Sequence, residues 1–140
     1  MSVKKIMSKP VVTVKMDDSL KMVKELFDNT HFHHLLVVTS GKLLGVLSDR
    51  DLLKALSPNI GTAAETTRDA ATLNKRAHQI MTRQPVTIAQ DAEIYDAIDI
   101  FNKYNISCIL VVDDEGKAVG IISWRDILKT LEPNKRAHSP

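Results

Sequence analysis

The stretch Gly45-Val46-Leu47-Ser48-Asp49-Arg50-Asp51-Leu52-Leu53-Lys54-Ala55-Leu56 returns later as Gly120-Ile121-Ile122-Ser123-Trp124-Arg125-Asp126-Ile127-Leu128-Lys129-Thr130-Leu131. Seven of the twelve positions are identical, and three more exchange one aliphatic residue for another. Unrelated segments would share about one identity, so the chain carries an internal duplication.

The repetition extends on both sides of this stretch and covers most of the 140 residues. Ile6-Met7 matches Ile80-Met81, and Val12-Thr13-Val14 matches Val86-Thr87-Ile88. Phe27 matches Phe101, and Leu36-Val37-Val38 matches Leu110-Val111-Val112, all 74 positions apart. One inserted residue then shifts the spacing to 75, so that Gly41-Lys42 matches Gly116-Lys117 and Gly45 matches Gly120.

Each copy reads as strand, helix, strand, strand, helix. Val12-Thr13-Val14 and Val86-Thr87-Ile88 are short extended segments. Asp17 or Asp18, and Asp91, are suited to cap the helices that follow. Leu20, Val23, Leu26 and Phe27 share one helical face, as do Ile94, Ala97, Ile98 and Phe101. Leu35 to Val38 and Ile109 to Val112 read as middle strands. Turns at Gly41 and Gly116 lead into Leu43 to Leu47 and Ala118 to Ile122. The last helices run from Asp49 to Leu56 and from Trp124 to Leu131. The fold class is therefore α/β (α+β), with aliphatic strands buried beneath amphipathic helices. The repeats occupy 1–56 and 77–131. The linker 57–76 is partly helical, with a helix expected over Ala63 to Gln79, and 132–140 is expected to be a flexible tail.

Composition excludes several classes. Nineteen basic and 17 acidic side chains leave a net charge of +2, too even for nucleic acid or an anionic membrane as the main partner. The single cysteine, Cys108, rules out an internal disulfide and a multi-cysteine zinc site. Its apolar neighbourhood points to a buried, inert thiol. No apolar run reaches the length of a signal peptide or a membrane span, so a soluble, cytoplasmic protein is expected. No nucleophile triad, glycine-rich phosphate loop or metal-ligand spacing occurs, and no enzyme activity is expected. His31, His33 and His34 lack a neighbouring cysteine or carboxylate, so no metal site is assigned.

Gly-aliphatic-aliphatic-Ser-x-x-Asp is complete in both copies: Gly45, Ser48, Asp51 and Gly120, Ser123, Asp126. With the duplicated element order, it resembles the cystathionine-β-synthase (CBS) domain family, and the pair is similar to a Bateman module. The resemblance implies two sheets packed to create two related clefts that bind AMP, ADP, ATP or S-adenosylmethionine in various members. It also implies a regulatory role towards another protein and a homodimer forming a four-motif disc. An adenine nucleotide is the expected regulatory ligand; S-adenosylmethionine ranks behind it, and no cofactor is required. With no catalytic domain in the sequence, the regulated partner is expected on a separate chain.

The residues suit such a ligand. Asp51 and Asp126 are candidate ribose acceptors, since a carboxylate takes hydrogen bonds from neighbouring hydroxyls. Ser48 and Ser123, at the starts of the last helices, are candidate phosphate contacts with Arg50 and Arg125. The same Ser-x-x-Asp spacing also forms a capping box, and both roles can coexist. By resemblance, Thr13, Val14 and Leu35, with Thr87, Ile88 and Ile109, line the base, although the apolar members also suit ordinary core. Leucine stands at 36 and 110 where many family members carry proline, which restores a backbone N–H there. His33 and His34 occupy positions that are often basic and contact phosphate. Their counterparts Ser107 and Cys108 carry no positive charge, so unequal clefts are expected. Trp124, opposite Asp49 in the repeat, either covers the second cleft or lies in a dimer contact. The alternative function is a dimerisation or protein-docking module with vacant clefts.

Overall fold

The computed structural model describes residues 1–131; the tail assigned to 132–140 lies outside the described residues. Two compact units form. One is Val12–Pro85, and the other joins Met1–Val11 to the chain from Val86 onward. Each unit holds one repeat but borrows the short lead segment that precedes the other repeat.

In the Val12–Pro85 unit the sheet order is β1-β2-β3-β4, with β1 Thr13–Lys15, β2 His34–Thr39, β3 Lys42–Ser48 and β4 Thr82–Arg83. β1 runs parallel to β2, so a crossover is needed, and α2 Leu20–Asp28 supplies it. Leu20 and Val23 of α2 are buried against Val14, Leu35, Val37 and Leu47. The β2–β3 hairpin turns on Ser40 and Gly41 with φ of 47° and 76°. Two successive positive φ values define the tight turn whose twist matches paired strands. α3 Asp49–Ala55 follows β3 and buries Leu52.

α5 Ala77–Ile80 closes this unit. Ala77 N–H donates to Asp18 O (2.9 Å), and Leu20 N–H to Lys75 O (2.8 Å). Met81 then lies over Gly45, where an added Cβ would stand 2.5 Å from Thr82 O and 2.9 Å from Met81 Sδ. The glycine of the repeated motif therefore exists to admit this segment.

The second unit repeats the plan with a different piece of chain. Its sheet order is β5-β6-β7, with β5 Thr87–Ala89, β6 Ile109–Val112 and β7 Ala118–Ile122. α6 Ile94–Lys103 crosses between the parallel strands β5 and β6, and α7 Trp124–Lys129 ends the unit. α1 Val3–Ile6 takes the place that α5 holds in the other unit. Val3, fully buried, donates its N–H to Ala92 O (2.9 Å), and Ile94 N–H donates to Met1 O (3.0 Å). These bonds match those of Ala77 and Leu20 residue for residue. Met7 packs where a Cβ on Gly120 would go. The inserted residue lies in the β6–β7 loop, where Asp113 Oδ1 accepts from Glu115 and Lys117 N–H (2.9 Å each) and Gly116 takes φ 81°.

Two local expectations change. Ser19 and Glu93, not Asp17, Asp18 or Asp91, precede the amphipathic helices. Asp18 Oδ2 is already held by Lys15 N–H (2.7 Å) in the turn after β1, so the helix starts later. The linker forms α4 Thr67–Ala71 and a 3-10 turn Thr72–Asn74 rather than one helix from Ala63 to Gln79. Asp69 sets that start: its Oδ2 accepts from Thr66 N–H (2.9 Å) while Asp69 N–H donates to Thr66 Oγ1 (3.2 Å). At the other end, Lys75 and Arg76 are extended and feed α5.

Ser57 Oγ donates to Asp69 Oδ1 (2.7 Å), tying the linker to the end of the first repeat. That bond, aided by Thr66, holds the Asp69 carboxyl below its ordinary 3.8. A depressed carboxylate stabilises the fold above the unfolded value and loses that contribution as pH falls through its folded value. Unfolding midpoints recorded from pH 5 to pH 2 should therefore fall less steeply in Ser57→Ala than in the parent. Identical slopes would remove this role for Asp69.

Candidate functional site

Both repeated motifs end a strand and start a helix, and both close a capping box. In the first repeat, Ser48 N–H donates to Asp51 Oδ2 (2.9 Å) and Asp51 N–H to Ser48 Oγ (3.0 Å). Asp51 is half-buried. Its Oδ1 has no hydrogen-bond partner among the described residues. One acceptor oxygen thus builds the fold and the other stays open.

The second repeat uses both oxygens. Ser123 N–H donates to Asp126 Oδ2 (2.9 Å), and Ser123 Oγ approaches the same atom (3.2 Å). Asp126 Oδ1 accepts from Ser8 Oγ (2.8 Å), and the residue is only 6% exposed. Ser8 belongs to the borrowed lead segment. No motif in the repeat pointed to it; the available signal was that Ser8 and Thr82, the residues after the repeated Ile-Met, both carry hydroxyls.

Strand alternation sorts the other candidates. Val14, Leu35, Ile88 and Ile109 project into the cores beneath the helices. Their side chains are buried, which leaves their main chain as the part accessible to a base. Thr13 and Thr87 are exposed and project to the opposite face, in register with Leu36 and Leu110. Leu36 pairs onward with Val46, and Leu110 with Ile121, so each threonine heads an apolar row across its sheet. The leucines at the proline positions use the N–H they restore: Leu36 donates to Val12 O (2.9 Å) and Leu110 to Val86 O (3.0 Å). The parallel pairing gains one bond in each unit.

The basic candidates are divided. His34 sits opposite Ser48 in the β2–β3 register. His33 precedes β2, and its Nδ1 lies 2.8 Å from Asp49 Oδ2. A phosphate beside His33 would therefore also meet the Asp49 carboxylate. Arg50 and Arg125 are exposed and have no ion-pair partner among the described residues. Trp124, which replaces Asp49 in the second repeat, stacks on Phe101 with ring centroids 5.0 Å apart. That contact within the unit accounts for its placement. Cys108 is buried. Among the described residues, no three His, Cys, Asp or Glu side chains gather to hold a metal, and no helix is long and apolar enough to cross a membrane.

Two α/β units, each with this strand–helix junction, define a tandem repeat, and comparison with known proteins identifies its family. The CBS domain model matches residues 3–58 and 77–133, so the chain belongs to the CBS domain family. A CBS domain-containing protein of Dictyostelium discoideum is 31% identical over 94% of each chain. The L-aspartate semialdehyde sulfurtransferase of Methanocaldococcus jannaschii is 32% identical over 95% of this chain but only 24% of its own length. An uncharacterized protein of the same organism is 32% identical over 88% of this chain and 37% of its own. The chain thus spans about a quarter to a third of these last two relatives.

Among solved structures, the CBS domain pair of protein MJ0100, in complex with 5′-methylthioadenosine and S-adenosyl-L-methionine, superposes with a TM-score of 0.75. It is 31% identical, covering 94% of this chain and 95% of that one. CBSX2 in complex with AMP shares the fold at a TM-score of 0.71 and 23% identity, over 93% of this chain and 95% of that one.

Proposed function

We propose that this chain is a non-catalytic sensing module that binds an adenosine-containing ligand and passes its ligand state to a partner protein. The observation that carries this is the open Oδ1 of Asp51. It lies on a carboxylate whose other oxygen is fixed by Ser48, so the acceptor is oriented before any ligand arrives. The MJ0100 pair, which binds two adenosine compounds, supports the ligand class. AMP, ADP and ATP remain the nucleotides of interest, with S-adenosylmethionine and 5′-methylthioadenosine now beside them. Thr13, exposed beside the buried Leu36 and Val46, is the side chain of this sheet that the base can reach. His34, Ser48 and Arg50 are the phosphate contacts of this unit, with His33 restrained by Asp49. Arg125 and Ser123 take the same place in the second.

Ligand at a hundredfold excess over Kd adds about 2.7 kcal/mol to stability. For a chain of this size that is roughly 8–10 °C in Tm. Thermal unfolding with AMP, ATP, S-adenosylmethionine and 5′-methylthioadenosine should show such a rise for at least one compound. Asp51→Ala should abolish the rise, whereas Asp126→Ala should keep it. No rise with any compound, or an undiminished rise in Asp51→Ala, would contradict the reading.

A second reading has its own support. Asp126 is already occupied, and Leu53 and Leu128, equivalent in the two last helices, are 73% and 59% exposed. Those leucines suit a docking and dimerisation module, and two copies joined as a homodimer fit both readings. Docking alone predicts no thermal response to adenosine compounds. Sedimentation of the same samples reads the association.

A further inference from the structure

The two carboxylates differ because the two lead segments differ at one hydroxyl. Ser8 is fixed by main-chain bonds on both sides, donating its N–H to Ile121 O (2.8 Å) and accepting from Ile121 N–H (3.0 Å). The preceding Met7 is seated over Gly120, and Val3 is fully buried. The Ser8 hydroxyl is thereby held on Asp126 Oδ1 at 2.8 Å. Thr82 occupies the equivalent place in the other unit and pairs with Val46 as Ser8 does with Ile121. Yet Thr82 is exposed and makes no hydrogen bond to Asp51. The β-branch of a threonine restricts χ1, and a serine in the same backbone position turns more freely.

We propose that Ser8 is a latch on the second site. Its hydroxyl takes the acceptor that a ribose hydroxyl would need, so the first repeat alone takes ligand and the second is held closed by the protein's own N-terminal segment. This rests on reading the aspartates as diol acceptors. A ligand diol at Asp126 must first displace a hydrogen bond to a charged group. Removing the competitor should tighten the second site by roughly tenfold or more.

The test is calorimetric titration of the whole chain with 5′-methylthioadenosine, which has no phosphate and so removes phosphate contacts from the comparison. The parent should bind one equivalent. Ser8→Ala should bind two, with the first affinity unchanged. Ser8→Val, which restores a strand-favouring side chain without a hydroxyl, should do the same and serves if the alanine variant folds poorly. One equivalent in the parent and one in both variants would overturn the latch and leave the Asp51 site standing. Two equivalents of equal affinity in the parent would also overturn it. No binding by any of the three proteins would overturn the ligand reading itself, and the latch with it.

Discussion

Gly45→Ala is expected to cost about 3 kcal/mol of folding stability, at the upper end for an overpacked core position. The new Cβ would stand 2.5 Å from the carbonyl oxygen of Thr82, which is main chain and can withdraw only by leaving its pairing with β3. The lead segment would then lift from its sheet, carrying Met81 and Ala77 out of the core of that unit. Gly120→Ala makes the informative contrast. Its Cβ would meet the side chain of Met7, whose Sδ and Cγ can swing aside. A cost of about 1 kcal/mol is expected there. Urea titrations of both variants check the pair. Equal small losses would mean that the motif glycines do not exist to admit the borrowed segments.

Leu35→Ala should be comparably damaging, at about 3 kcal/mol, because the side chain is fully buried among Val14, Leu20, Val37 and Leu47. The loss should appear without ligand and should leave the ranking of bases among added nucleosides unchanged. Leu53→Ala, on the exposed side of α3, should shift stability by less than about 0.5 kcal/mol. If Leu35→Ala were near neutral in stability but altered base preference, Leu35 would line a ligand slot after all.

These two sites also show what the sequence could disclose. The duplication, the strand-helix-strand-strand-helix order within each repeat, and β6 and β7 to the residue followed from periodicity and repeated motifs, whereas α1 and β4 did not. Ser48–Asp51 and Ser123–Asp126 were legible as capping boxes, and both are present. The exchange of lead segments was not legible. Ile6-Met7 and Ile80-Met81 are the same dipeptide, so the sequence does not say which of them meets which motif glycine. The face of each strand was likewise open. Alternation fixes that Val14 and Thr13 point apart, but only the position of the helices says which one enters the core. The Ser8–Asp126 contact joins residues 118 positions apart, beyond the reach of any local pattern.

On the proposed reading, the free oxygen of Asp51 grasps a sugar diol. Calorimetric titration with 5′-methylthioadenosine and its 2′-deoxy counterpart, on the parent and on Asp51→Asn, tests it most directly. The asparagine keeps an oxygen for the Ser48 cap but loses the charge. The parent should prefer the ribose compound by roughly tenfold or more, as expected for a hydrogen bond to a charged group. Asp51→Asn should erase this preference. A parent that binds both compounds equally well, or an Asp51→Asn variant that discriminates as the parent does, would contradict it.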